Sequence, residues 1–323
     1  MKHRVWVSRG LLSALIGLLG WAVACQPPAD VSLITPAPRI QYSFFVAGHT
    51  YGHPGSAALG LHPPFKARFP LINAIPTMAF GVLTGDMVKL PTNRAWDAID
   101  QDLGVLHPYS PIPDSSFTPY GDREWSQEKG PLPVHFVAGN HDVINRTLYH
   151  LRYGPSFYDF SHQHDLFIVL DANLAHWNIE GNQLTYLQQI LTEKAPLADR
   201  IFVFFHQQLW FDESNIFHLV KPNSFAGRAY SINFWTEIEP MFHVLENPVV
   251  MFAGDIGAFP HRPAFMYYHY DNMTFVASGM GGGVQDNFII VDVMSDHSIK
   301  YRLIALNGDN IHAWGNLKDF ILP

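Results

Sequence analysis

The sequence predicts an α/β domain built in layers, and two observations carry that prediction. From about residue 40 onward, apolar runs of strand length alternate with helical or irregular stretches. Five of those runs stop abruptly at Asp, Asn or His, four of them straight after a glycine. The chain has 323 residues, enough for one large domain or two average ones. Hydrophobic residues make up 48% and charged ones 15%, which excludes a disordered chain, and a single cysteine excludes a disulfide scaffold. Acidic residues outnumber basic ones by 28 to 20, a net charge of -8 that disfavours a nucleic-acid polymer as partner. Eighteen histidines point toward metal or acid–base chemistry.

The first segment is an address. Lys2, His3, Arg4 and Arg9 precede an apolar run over residues 10–24, the length of a signal-peptide core and short for a membrane span of about 20 residues. Ala22-Val23-Ala24 has the small-x-small cleavage pattern, and the sole cysteine, Cys25, follows it. The arrangement resembles a bacterial lipoprotein signal, which implies cleavage after residue 24 and a lipid on Cys25 as the anchor at the cell envelope. An ordinary cleaved signal is the alternative. Losing Lys2, Arg4 and Arg9 takes the mature charge from -8 to -11. Residues 25–40 then read as lipidated cysteine and Pro-rich tether, and residues 41–323 as the folded domain.

Within that domain the elements follow in order. Strands are expected at Ile40–Ala47, Phe80–Thr84, Val134–Ala138, Phe167–Asp171, Ile201–Phe205 and Val249–Ala253. Gly181–Lys194 places Leu184, Leu187, Ile190 and Leu191 on one helical face. Phe234 to Leu245 does likewise, although Pro240 must kink that helix or start a second one. Phe265–Met280 and Phe288–Leu306 read as hairpins, turning near Asp271-Asn272 and Ser295–Ser298.

The strand ends carry the chemistry. Gly48-His49, Gly85-Asp86, Gly139-Asn140-His141-Asp142, the strand-end His206 and Gly254-Asp255 stand where ligands bind in open α/β sheets. Glycine there lets the backbone turn sharply beside an ion. A mixture of carboxylate, carboxamide and imidazole suits divalent manganese, iron or zinc.

Gly85-Asp86, Gly139-Asn140-His141-Asp142 and His206, in that order, resemble the calcineurin-like metallophosphoesterases, and the likeness runs over roughly residues 40–306 through Tyr153-Gly154-Pro155 and the Gln183-Leu184 helix. The resemblance implies a four-layer sandwich of two mixed β-sheets flanked by helices, with two metals about 3.5–4 Å apart. It implies that Asp86 bridges the metals, that Asn140 and His206 bind the second, that His141 protonates the leaving oxygen, and that Asp142 orients that imidazole. The family opens with Asp-x-His, where this chain has His49 and Tyr51, and closes with Gly-His-x-His, where it has Gly254-Asp255-Ile256-Gly257. A carboxylate missing at 49 is thus regained at 255. The second metal keeps Asp86, Asn140, His206 and Asp255, whereas the first keeps only His49 and Asp86. Tyr51, His53 or His261 would have to complete it, which leaves two, one or no bound metals open. Arg262 is a candidate for gripping substrate phosphate. Gly281-Gly282-Gly283 would form a phosphate cradle or a rim loop, and Asp171 and the His162-x-His164-Asp165 run are expected to be structural.

Two functions from different classes follow. The first is a metal-dependent phosphoesterase, one or two divalent ions supplying an activated hydroxide to a small phosphomono- or diester, exported and lipid-anchored on the extracytoplasmic side of a bacterial membrane. The second, motivated by Tyr51, Asp255 and Gly257, is a catalytically impaired binding or scaffolding module at the envelope. A metallohydrolase acting on other bonds is a third class. The chain has no Gly-x-Ser-x-Gly elbow, which disfavours a serine hydrolase.

Overall fold

A computed structural model describes residues 37–106, 132–320 and 322 of the chain. The apolar leader, Cys25 and nearly all of the tether lie outside the described residues. No helix among the described residues is long and apolar enough to cross a membrane.

Two sheets form the frame. In the first, β1 (Ile40–Ala47), β2 (Met78–Leu83) and β3 (Val134–Phe136) run parallel, and the hairpin of β10 (Asn287–Met294) and β11 (Ile299–Ala305) adds antiparallel to β1, giving the order β11-β10-β1-β2-β3. The second has the order β4-β5-β6-β7-β9-β8, made of β4 (Tyr158–His162), β5 (Asp165–Val169), β6 (Arg200–Phe205), β7 (Val249–Ala253), β8 (Phe265–Tyr270) and β9 (Met273–Ser278). In it β5, β6, β7 and β9 are parallel, while β4 and β8 are antiparallel edges.

The strands stand almost continuously buried because both faces of each sheet are covered. Between the sheets lies an aromatic core in which Phe44 stacks on Phe80 at 5.2 Å and meets Phe202 edge-on at 5.2 Å. Each such ring, fully buried, contributes about 1.5–3 kcal/mol. The outer face of the first sheet is covered by α1 (Pro63–Lys66), α2 (Phe69–Asn73), α3 (Asn93–Leu103) and α4 (Arg146–Tyr153). Thr92 caps α3 by accepting the Ala95 N–H, and Ala95, Trp96, Ile99 and Leu103 recur on its inner face at helical spacing. The second sheet is covered by α5 (Gly181–Glu193), with Leu187, Ile190 and Leu191 buried and Leu184 packed beside them, and by α6 (Glu239–His243). Pro240 sits in the first turn of α6, preceded by a single π-helical turn at Phe234–Ile238, so the proline starts a new helix rather than bending one. The layers are therefore helix, sheet, sheet, helix.

His162 ends β4 and Asp165 opens β5, joined through Gln163 in the left-handed region (φ 52°). Tyr-Asp-Phe-Ser-His of β4 reads as loop as readily as strand, and it is an element that the sequence-based expectations do not include. His162 packs its ring 4.5 Å from that of Tyr42, and Asp165 pairs with Arg200 at 2.7 Å. Both are spent on structure.

Candidate metal centre

Register brings the site together. Ala47, Leu83 and Phe136 are level across β1, β2 and β3, and Phe205 is level with Ala253 across β6 and β7. The residues just beyond them are His49, Asp86, Gly139-Asn140, His206 and Asp255. The two sheets meet at these tips: the His206 imidazole crosses from the second sheet to bond the Thr84 carbonyl of the first at 2.8 Å.

Two of the tips are backbone-strained. His49 (φ 52°) and Asp86 (φ 54°) both occupy the left-handed region, where residues with a Cβ are uncommon. Their loops hold each other, the His49 N–H donating to the Gly85 carbonyl at 3.1 Å and the Tyr51 N–H to the Asp86 carbonyl at 3.0 Å. Gly139 makes room for this. A Cβ there would stand 2.1 Å from the Asp86 nitrogen.

Asp86 lies between two imidazoles. Its Oδ1 is 3.4 Å from His206 Nε2 and its Oδ2 is 3.6 Å from His49 Nε2. His49 Nδ1 lies 2.9 Å from the Met280 carbonyl, an acceptor only, so that nitrogen carries the proton. Burial lowers the His49 pKa to about 4 against the pull of Asp86, so the ring is neutral near pH 7. Its Nε2 then presents a bare lone pair to a bare carboxylate oxygen. Two acceptors at that distance with no proton between them ask for a cation.

On the other side, His206 Nε2 is also 3.8 Å from Asp255 Oδ1. One ligand atom each from Asp86, His206 and Asp255, all buried, lie within 4.8 Å of one another. Burial alone would lower the His206 pKa, but Asp86 and Asp255 outweigh it and push it up to about 10. Asp255 is pushed up to about 7 by burial, with Asp86 adding to the rise and His206 opposing it. Burial also works against the charge of Asp86, but His206 and His49 prevail and hold it well below the ordinary carboxylate range. His206 Nε2 and Asp255 Oδ2 are buried with no hydrogen-bond partner among the described residues. Unpaired buried polar atoms are costly, and a cation bound among them would satisfy both. The residues present therefore fit a divalent ion.

The other candidates divide. Asn140 is half-buried between Gly139 and His141, and the His141 N–H donates to Asp86 Oδ1 at 3.1 Å, which places Asn140 at the rim of the cluster. Tyr51 is 8% exposed with its ring 4.3 Å from His49 and 5.1 Å from His141. Burial, Asp86, Asp255 and Asp142 all raise its pKa, so without a metal it is a neutral phenol rather than an anionic ligand. Gly257 has no room for an imidazole: at φ 78° a Cβ would meet Ala264 and the Gly279 backbone at 2.9 Å. His53 and His261 are exposed; His53 accepts the Gly55 N–H through Nδ1 and packs on Gly282.

Two expectations, for Asp142 and Arg262, are corrected, and the choice left open for the triple glycine is decided for the rim loop. Asp142 does not orient His141. Its carboxylate accepts the backbone N–H groups of Asp86, Met87, Val88 and Gly139 at 2.8–3.1 Å, while His141 Nδ1 bonds the Lys89 carbonyl at 2.8 Å. Arg262 is not poised over the centre: Nη1 donates to the Pro222 carbonyl at 2.7 Å and the guanidinium lies 5.0 Å from the Phe259 ring. The triple glycine is no phosphate cradle, because the Gly281, Gly282 and Gly283 N–H groups all donate to Asp286. A nest of amides already filled by its own carboxylate has none left for a ligand. Sequence reasoning missed Asn173 and Gln207: Asn173 donates to the Ala138 carbonyl, Gln207 follows His206, and the two are joined by a 2.6 Å hydrogen bond. Only their position just past strand ends could have drawn attention to them.

No family profile matches the chain, and no curated protein matches it. Solved structures do. The purple acid phosphatase of yellow lupin (Lupinus luteus) seeds matches with a TM-score of 0.53 at 10% identity over 84% of this chain. The match covers 52% of that phosphatase, so the chain spans about half its length. A 5′-nucleotidase, so described, of Staphylococcus aureus matches with a TM-score of 0.47 at 13% identity over 83% of this chain and 55% of its own. A predicted phosphoesterase of Streptococcus pneumoniae matches with a TM-score of 0.34 at 10% identity over 84% of this chain and 92% of its own.

The likeness to the lupin phosphatase concerns the fold, and the chain has the calcineurin-like phosphoesterase fold.

Proposed function

We propose that the chain is a metal-dependent phosphoesterase of the extracytoplasmic face of a bacterial membrane, held there by a lipid on Cys25. The observation that carries the reading is Asp86 set between His49 Nε2 and His206 Nε2, with Asp255 closing the second position. Asp86, His206 and Asp255, with Asn140 at the rim, would hold one divalent ion (manganese, iron or zinc), and His49 with Asp86 would give a second ion two protein donors. Bound there, such an ion would supply Lewis acidity toward the phosphoryl oxygen and would lower the pKa of a water.

The chain's own residues do the rest. His141, fixed through Nδ1 on the Lys89 carbonyl, keeps Nε2 as the atom that hands a proton to the leaving oxygen. Tyr51 lies against both His49 and His141, keeping bulk water from the face of the cluster. Asp142 holds the Asp86 backbone in its strained turn, so the carboxylate is aimed before substrate arrives.

A second reading, a binding or scaffolding module without turnover, is favoured by one observation: the first position lacks the imidazoles that Tyr51 and Gly257 replace, and Gly257 cannot host one. Purified protein given manganese, iron or zinc separates the two. Hydrolysis of an activated phosphomono- or diester that Asp86→Asn reduces to background supports the enzyme. A folded, metal-loaded protein with no turnover on either ester class supports the module.

A further inference from the structure

Beside the centre, a chain of hydrogen bonds leads to a cation that the proposed reaction does not use. Asp171, fully buried just past β5, takes Arg146 Nη1 at 2.6 Å on Oδ2. Its Oδ1 takes the Asn173 N–H and Nδ2, each at 2.9 Å. Asn173 Nδ2 also reaches the Ala138 carbonyl at 2.9 Å, and Asn173 Oδ1 accepts Gln207 Nε2 at 2.6 Å. Ala138 immediately precedes Gly139-Asn140, and Gln207 immediately follows His206. The network therefore starts at the neighbours of two candidate ligands and ends at Arg146.

The anchoring of Arg146 is one-sided, unlike that of Arg302, which grips the buried Asp292 through both Nε and Nη2, or of Arg200, which is itself buried against Asp165. Arg228 and Arg262 lean on backbone carbonyls, and Lys221 faces the exposed Glu213 at 4.0 Å, whereas Arg146 is held by a buried carboxylate and the Ser156 hydroxyl at 3.3 Å. Both anchors use Nη1. Nε and Nη2 make no hydrogen bond to the described residues, and the side chain is 30% exposed. A guanidinium fixed on one nitrogen with its other edge open is arranged for a bidentate grip on an oxyanion.

We infer that Arg146 forms a second anion subsite beside the metal centre, so that the substrate is a phosphoester bearing a second negatively charged oxyanion, a phosphate or a carboxylate. The inference rests on the phosphoesterase reading for what occupies the first position. Arg146 does not touch the scissile group. It positions the substrate by its other end, and its loss acts on binding rather than on the chemical step.

Calorimetry on the manganese-loaded protein tests this without requiring turnover. The probes are matched pairs: fructose 1,6-bisphosphate against fructose 6-phosphate, ADP against AMP, and 3-phosphoglycerate against glycerol 3-phosphate. At least one bis-anionic partner is expected to bind about tenfold tighter than its mate, with Arg146→Gln abolishing the difference and leaving mono-anion affinity within about twofold. No preference in any pair, or a preference that survives Arg146→Gln, overturns the inference. Should that variant not fold, Arg146→Lys keeps a charge but loses the fork and must cut the preference at least threefold; an unchanged preference overturns it equally. Bis-anions bound through Arg146 without hydrolysis would sink the enzyme reading alone. Hydrolysis indifferent to Arg146 would sink this one alone.

Discussion

The Asp142 carboxylate accepts the backbone N–H of Asp86 at 2.8 Å, so one buried acid fixes the backbone of another whose side chain faces the cation position. The same oxygen also takes the Gly139 N–H at 2.9 Å, and the second oxygen takes Met87 and Val88. The Gly-Asn-His-Asp turn and the Gly-Asp turn are therefore one unit.

Asp142→Asn is expected to break that unit. The carboxamide keeps one acceptor and turns an NH2 toward two N–H donors, leaving buried donors unpaired at about 1–3 kcal/mol each. Denaturant unfolding should show a loss of about 2–5 kcal/mol, and metal affinity should fall because Asp86 is no longer aimed. Unchanged stability would show that the four contacts do not hold the turn.

Gly139→Ala places a methyl group 2.1 Å from the Asp86 nitrogen, so the two loops must part. Metal content should drop to background in a protein that still has its strands by circular dichroism. Retained metal would mean that the tips have slack.

Much of this centre was legible beforehand. His49, Asp86, His206 and Asp255 could be named because each follows a short apolar run, and parallel pairing carries such positions to one edge of a sheet whatever the loops between them do. Ile40–Ala47 and Val249–Ala253 were bounded by the same logic. Side-chain hydrogen bonds do not follow from register. Asp142 stands one residue from His141, yet its carboxylate turns back to backbone amides, and Asp286 fills the glycine nest from three residues downstream of it. Arg262 looked free because the Pro222 carbonyl it bonds lies 40 positions earlier. These choices are settled by unpaired backbone groups seeking partners, and which groups lack partners is known only once the chain is folded.

Proton linkage gives a signed pH dependence. Without metal, His206 binds its proton more tightly folded than at its ordinary value of 6.5, its pKa being pushed up to about 10. That stabilisation is complete below the ordinary value and is lost as pH rises through about 10. Asp255, raised from 3.8 to about 7, likewise favours the folded state at low pH and loses that contribution as pH rises through about 7. Asp86 runs the other way, and its contribution fades only in strong acid. The metal-free protein should therefore melt several degrees lower at pH 9 than at pH 6 in scanning calorimetry. Metal must displace the His206 proton, so the thermal gain on adding manganese or zinc should widen over the same range. A gain that shrinks with pH would contradict the assigned ligands.

Tyr51→His restores an imidazole against His49, whose ring lies 4.3 Å away. The variant should bind about one more ion per chain than the parent by emission spectrometry, because the first position gains a third donor. An unchanged count would show that the position cannot close without a residue at 257.

The central claim is that Asp86, His206 and Asp255 hold a metal together. Anomalous diffraction from crystals grown with manganese or zinc tests it most directly. The account predicts a peak about 2.0–2.3 Å from His206 Nε2 and from an oxygen of each carboxylate, absent in His206→Ala. No peak there in a metal-soaked crystal, or one that survives the loss of His206, would contradict it.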